Sequence, residues 1–86
     1  MQLVFTEAGW QDYVWFQEQN RRLQKRVNLL IKDALRSPFE GIGKPESLKG
    51  ELAGYWSRRI NDEHRVVYSV KADDVILIAC RFHYND

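Results

Sequence analysis

The apolar positions change period more than once along the chain. Leu3-Val4-Phe5 form a short apolar run suited to a strand. Thr6 then offers a hydroxyl N-cap, and Glu7 places an anion in the first turn, where the helix dipole favours it. Trp10, Tyr13, Val14 and Gln17 follow at helical spacing and predict a helix over residues 7–19. After a break at Asn20, the stripe Leu23, Val27, Leu30, Ile31, Ala34 and Leu35 predicts a second helix over 21–36. Its other face carries Arg21, Arg22, Lys25, Arg26, Lys32 and Arg36 against one acid, Asp33. Ser37-Pro38 ends it, because a residue before proline is pushed out of the helical region.

Residues 37–51 contain Pro38, Gly41, Gly43, Pro45 and Gly50 and show no periodicity. A connection this long in a small domain is usually functional or disordered. Three strands then follow, Tyr55 to Ile60, Arg65 to Lys71 and Val75 to Tyr84, separated by polar turns at Asn61-Asp62-Glu63 and Asp73-Asp74. The order β-α-α-β-β-β predicts an α+β domain, a largely antiparallel sheet with both helices on one face.

Alternation along the strands sorts their side chains. In the last strand Ile76, Ile78, Cys80 and Phe82 are expected in the core, which leaves Arg81 and His83 on the other face with Leu77 and Ala79. In the strand before it, Val66, Tyr68 and Val70 go inward and Arg65 outward. In the first of the three, Trp56 and Ile60 point inward and Tyr55, Ser57 and Arg59 outward, so Arg58 falls awkwardly on the core side. Arg59, Arg65, Arg81 and His83 are thereby expected on one solvated face. Like charges gathered this way repel, but arginine forks match phosphate oxygens. An ordinary polar outer face is the bland alternative for each arginine alone.

Eighty-six residues make one domain, 1–86, whose aromatics must supply much of the buried area. A single cysteine, Cys80, excludes an internal disulfide. No apolar run approaches the ~20 residues of a membrane helix, and Met1 begins no basic-then-apolar signal pattern, so a cytoplasmic protein is expected. The net charge of +1 hides an uneven distribution: residues 20–60 carry ten basic side chains against four acidic. That segment suits a polyanion, although a solvated helix face and a charged loop would look the same.

Five stretches carry a resemblance. They are Pro38-Phe39-Glu40-Gly41; Gly43-Lys44-Pro45-Glu46 with Leu48-Lys49; Gly54-Tyr55-Trp56-Ser57-Arg58-Arg59-Ile60; Glu63-His64-Arg65 with Val67-Tyr68; and Cys80-Arg81-Phe82-His83-Tyr84. In that order, over nearly the whole chain, the sequence resembles YoeB-type toxins of YefM/YoeB toxin–antitoxin systems, within the RelE/ParE superfamily. The terminal His-Tyr separates this branch from gyrase-poisoning relatives of the same fold. The resemblance implies a microbial RNase-like fold and ribosome-dependent cleavage of messenger RNA in the A site. It further implies a YefM-like antitoxin that silences the toxin and represses the operon with it, so that operator DNA is met only through the complex. Carried over position by position, the family's functional groups fall on Glu46, Lys49, Arg59, Arg65, His83 and Tyr84.

Strand cleavage of RNA can use its own 2′-hydroxyl as nucleophile, so neither a metal nor another cofactor is expected. The resemblance casts Glu46 as general base and His83 as general acid, a histidine being able to hold either protonation state near neutrality. Arg65, with Arg59, Lys49 and Arg81, would stabilise charge developing on the phosphoryl oxygens. Tyr84 would stack on a base or bind phosphate, although parity also allows it to pack beside Phe82. A loop carboxylate paired with Lys44 or Lys49 is the bland reading of Glu46, and an innocent surface residue that of His83. Arg22, Lys25, Arg26, Lys32 and Arg36 are candidate contacts for ribosomal RNA or an acidic antitoxin segment. Trp15 and Phe16 exceed one helical stripe and suit a partner or a homodimer. His64 and Cys80 are read as structural. The competing readings are a non-enzymatic toxin or antitoxin-binding module of the same fold, gyrase-inhibitor-like, and a free RNase without need of the ribosome.

Overall fold

The computed structural model describes residues 1–81. Strand β1 (Gln2–Phe5) passes straight into helix α1 (Glu7–Gln19) through Thr6, whose Oγ1 accepts from the Gly9 amide at 3.1 Å. Asn20 ends α1 and starts helix α2 (Arg21–Arg36): its amide donates to the Phe16 carbonyl, and its side chain accepts from the Leu23 amide. Both helices run over the predicted residues, because capping chemistry and periodicity agree there.

The sheet runs in the order β1-β5-β4-β3-β2, with β2 (Glu46–Ser47), β3 (Tyr55–Arg59), β4 (Arg65–Lys71) and β5 (Asp74–Ala79). β1 pairs parallel with β5, and the other pairs are antiparallel. β2 lies inside the stretch read as a structureless loop. Two residues carry no alternation that a sequence pattern can register.

The helices cover one face, where Phe16, Val27, Leu30, Ile31 and Ala34 close a core against Ile60, Val66, Tyr68, Val75, Leu77 and Cys80. Each large side chain fully buried there contributes roughly 1.5–3 kcal/mol. At Gly9 a Cβ would collide with the Leu77 carbonyl, so α1 rides on β5 at glycine distance. Phe16, expected to be in excess and free for a partner, is fully buried in this core. No described helix is long and apolar enough to cross a membrane.

Parity in β5 departs from the sequence reading. Tyr68 pairs with Leu77 and Val67 with Ala79, which leaves Ile78 as an extra residue, a bulge. Val75 and Leu77 therefore face the helices, while Ile76 and Ile78 are only half-buried. Beyond the bulge the alternation is restored as expected, and Cys80 is core. Burial pushes the Cys80 thiol up to about 12, with the nearby Asp12 carboxylate adding to it, so it is chemically quiet.

Arg58 is the hub that fastens the segment after α2. Its side chain is fully buried and spends all five N–H bonds. Nε donates to the Tyr68 hydroxyl at 3.0 Å. Nη1 donates to Asp33 Oδ2 at 2.6 Å and to the Ile42 carbonyl at 3.1 Å. Nη2 donates to the carbonyls of Ser37 and Glu40 at 2.6 and 3.0 Å. Asp33 also accepts from the Ile42 amide, and the Tyr68 hydroxyl donates to the Pro38 carbonyl. A Cβ on Gly41 would strike the Asp33 carboxylate, and φ there is +124°. The segment is thus tied to the sheet before it reaches Glu46.

Candidate active site

The face of the sheet away from the helices is built from the residues that alternate with the core. On β3 these are Tyr55, Ser57 and Arg59, and on β4 Arg65, Val67 and Ser69. Glu46 on β2 lies opposite Ser57, and Arg59 lies opposite Arg65. The Arg65 side chain runs diagonally over β3: Nη1 donates to Ser57 Oγ at 3.4 Å and to Glu46 Oε1 at 3.2 Å. Three strands thereby bring a carboxylate, a hydroxyl and a guanidinium together. The face is not the fully solvated one expected, since Ser57, Val67, Ser69 and Ala79 are buried. Glu46 is exposed and Arg65 half-buried above that floor, so the charged heads meet solvent on a dry base.

Arg59 closes β3 on the same face. Its amide donates to the Gly43 carbonyl at 2.7 Å, and its guanidinium pairs with Asp62. Lys49 is exposed just before the 3₁₀ turn Gly50–Leu52, three residues beyond Glu46. His83 and Tyr84 lie outside the described residues.

Arg81 does not join this group. β5 ends at Ala79, and the Cys80 amide donates to the Asp12 carboxylate on α1 at 3.0 Å. The chain has left the pleat by then, so strand alternation no longer governs it. The Arg81 guanidinium lies over the Trp15 ring of α1, 3.9 Å from its centre. That contact, with Phe16 and His64 at ring distance, accounts for Trp15 as a half-buried packing residue. His64 is itself buried in the β3–β4 turn, as its structural reading expected.

Of the basic residues of α2, Arg22, Lys25, Lys32 and Arg36 are exposed. Arg36 pairs with Asp33 at 3.0 Å. Arg26 is half-buried and donates to the Arg59 carbonyl, so it belongs to the fold rather than to a free basic face. Beside α2, the side chains of Leu3, Phe5, Trp10, Tyr13, Ile31 and Leu35 line an apolar groove of about 340 Å³ with Lys32 at its rim.

Two features escaped the sequence reading. Ser57 was assigned to the correct face but given no role. Asp33 is read as the one acid on the polar face of α2 and only Arg58 as awkward, on the core side of its strand, whereas the structure buries both. A charge on the core side of a strand needs a buried counter-charge, and the lone acid of an otherwise basic helix is the signal for it.

The sequence model of the "YoeB-like toxin of bacterial type II toxin-antitoxin system" family matches residues 5–84. The chain is 60% identical over 85 residues to a Toxin YoeB of Synechocystis sp., covering 99% of each chain. It is 54% identical over 84 residues to Toxin YoeB of Escherichia coli K12, covering 98% of this chain and all of that one. Among solved structures, a YoeB/ParE toxin from Agrobacterium tumefaciens superposes with TM-score 0.94 at 51% identity, covering 98% of this chain and 100% of that one. A YoeB dimer and a YoeB–YefM complex, both from Staphylococcus aureus, superpose at 0.90 and 0.89 with 42% and 44% identity, each over 98% of both chains. With the family model spanning nearly the whole chain and relatives more than half identical along their full length, the protein belongs to the YoeB-like toxin family of bacterial type II toxin–antitoxin systems.

Proposed function

We propose that the protein is a ribosome-dependent endoribonuclease that inhibits translation by cutting messenger RNA in the ribosomal A site. The observation that carries this reading is the Glu46–Ser57–Arg65 constellation, with Arg59 paired beside it across the β3–β4 ladder. Cleavage by the 2′-hydroxyl needs a proton acceptor, a proton donor and a cation for the charge that builds on phosphorus. Glu46 accepts the 2′-proton, which frees the oxygen to attack the adjacent phosphorus. Arg65, supported by Arg59 and Lys49, holds the phosphoryl oxygens and stabilises the extra negative charge. His83 protonates the departing 5′-oxygen, and Tyr84 stacks on the neighbouring base. The reaction draws on no metal and no cofactor.

Such a nuclease must be restrained in the cell that makes it. An antitoxin of the YefM kind is the partner, as in the staphylococcal complex, and the pair binds the operator to repress its own synthesis. The apolar groove by Trp10 and the basic face formed by Arg22, Lys25, Lys32 and Arg36 are the surfaces suited to an acidic, partly apolar segment. Self-association, as in the staphylococcal dimer, is the second assembly. The working compartment is the cytoplasm, where ribosomes are.

The test is primer extension on a defined message in a reconstituted translation system, with and without ribosomes, comparing wild type with Glu46→Ala and His83→Ala. A discrete, ribosome-dependent cut that is lost or much weakened in both variants is expected. Translation arrest without cleavage, or normal cutting by both variants, would overturn the nuclease reading in favour of a binding toxin on the same fold.

A further inference from the structure

Building on the ribonuclease reading, we infer that Ser57 is a positioning residue that keeps Arg65 aimed at the scissile phosphate once Glu46 has let go of it. In the structure Arg65 Nη1 serves two acceptors, Glu46 Oε1 at 3.2 Å and Ser57 Oγ at 3.4 Å. A carboxylate and a phosphate offer a guanidinium the same kind of anionic oxygen. In the resting protein Glu46 therefore stands where a phosphate oxygen would stand. Catalysis requires an exchange: the phosphate takes over the guanidinium, and the freed carboxylate turns to the 2′-hydroxyl.

During that exchange Arg65 loses one of its anchors. Ser57 suits the task of holding it, for three reasons. It sits in the middle of the sheet, paired with Glu46 on one side and Val67 on the other, so its backbone is fixed. It is 1% exposed, so water does not compete for its oxygen. As a neutral acceptor, it holds the guanidinium without cancelling the charge that the phosphate needs. Burial also keeps Ser57 away from substrate, so its effect passes through Arg65.

The experiment is single-turnover cleavage of ribosome-bound message by wild type, Ser57→Ala, Ser57→Thr and Ser57→Ala in an Arg65→Ala background. Alongside it, binding is measured to a message carrying a 2′-deoxynucleotide at the cut, and folding is followed by thermal unfolding. Ser57→Ala is expected to lose roughly tenfold in rate, the low end for a hydrogen bond to a charged group, with binding of the uncleavable message unchanged. Ser57→Thr, which keeps the hydroxyl, restores the rate, and Ser57→Ala adds nothing once Arg65 is gone. Ser57→Cys, nearly isosteric and a poor acceptor, is expected to show the same loss and keeps the question answerable should the alanine variant unfold. Full-rate cutting by Ser57→Ala, an equal further loss in the Arg65→Ala background, or a folded Ser57→Thr that fails to restore the rate overturns the inference. If wild type itself does not cut, the ribonuclease reading falls. If it cuts and Glu46→Ala does not, while Ser57→Ala cuts at full rate, only the role of Ser57 falls.

Discussion

Arg58 and Arg65 lie on neighbouring strands, and each pairs with a carboxylate, but they face opposite sides of the sheet. Arg58 points toward the helices, is fully buried, and has every N–H committed to Asp33, Tyr68 and three backbone carbonyls. Arg65 points away, with about a quarter of its side chain exposed and its partner Glu46 more than half exposed. One arginine has no donor to offer a substrate. The other holds a carboxylate that solvent and ligands can reach. The same two side-chain types thus make a buried fastening on one face and a solvent-accessible ion pair on the other, and burial is what separates them.

Crossed substitutions break the comparison most directly. Arg58→Ala takes from the Asp33 carboxylate its buried cation, leaving it Arg36 and the Ile42 amide, and frees four carbonyl and hydroxyl acceptors, so it is expected to cost about 3–5 kcal/mol. A domain of this length holds only about 4–13 kcal/mol in total, and urea unfolding would show most of it gone. Unfolding within about 1 kcal/mol of wild type would mean that the buried network is not a fastening at all. Arg65→Ala is expected to do the opposite. An exposed ion pair contributes about 0–1 kcal/mol, so stability barely moves. Cleavage on the ribosome is expected to fall roughly 10²–10³-fold, the usual effect of removing a group that stabilises transition-state charge. A variant that cuts normally would place the phosphate elsewhere.

The two faces were also unequally legible in the sequence. Both helices could be read to their ends, because Thr6 and Asn20 cap them and the apolar stripes are periodic. The face away from the helices could be read on β3 and β4, where Trp56, Ile60, Val66, Tyr68 and Val70 set the inward phase and leave Ser57, Arg59 and Arg65 outward, with Arg58 the exception. It failed on β5, where Val75 to Ala79 is apolar throughout and alternation carries no signal. The bulge at Ile78 then shifts the phase without any turn residue to announce it. Arg81 was misplaced for a related reason: alternation was carried past Ala79, where the strand stops. The contacts of Arg58 join residues up to 25 positions apart, and only the folded chain brings them together.

Acid titration sharpens the contrast between the buried pair and the exposed one. The hydrogen bond from Arg58 lowers the Asp33 pKa, and the Ile42 amide lowers it further; burial opposes both without reversing the sign. A carboxyl whose folded pKa lies below its unfolded one stabilises the protein fully above the unfolded value. It loses that contribution as pH falls through the folded value. The window therefore opens near pH 4, the ordinary range for aspartate, and extends below it. Other carboxylates titrate there too, so the informative quantity is the stability difference between wild type and Asp33→Asn measured by urea at a series of pH values. That difference is expected to shrink steadily below pH 4, because protonated Asp33 serves Arg58 no better than the amide does. Glu46→Gln provides the control on the other face, where loss of an ion pair open to water is expected to change stability by only about 0–1 kcal/mol. If the Asp33→Asn difference stays constant down to pH 2, the charge on Asp33 is not what holds Arg58, and the bonds to the backbone carbonyls must suffice.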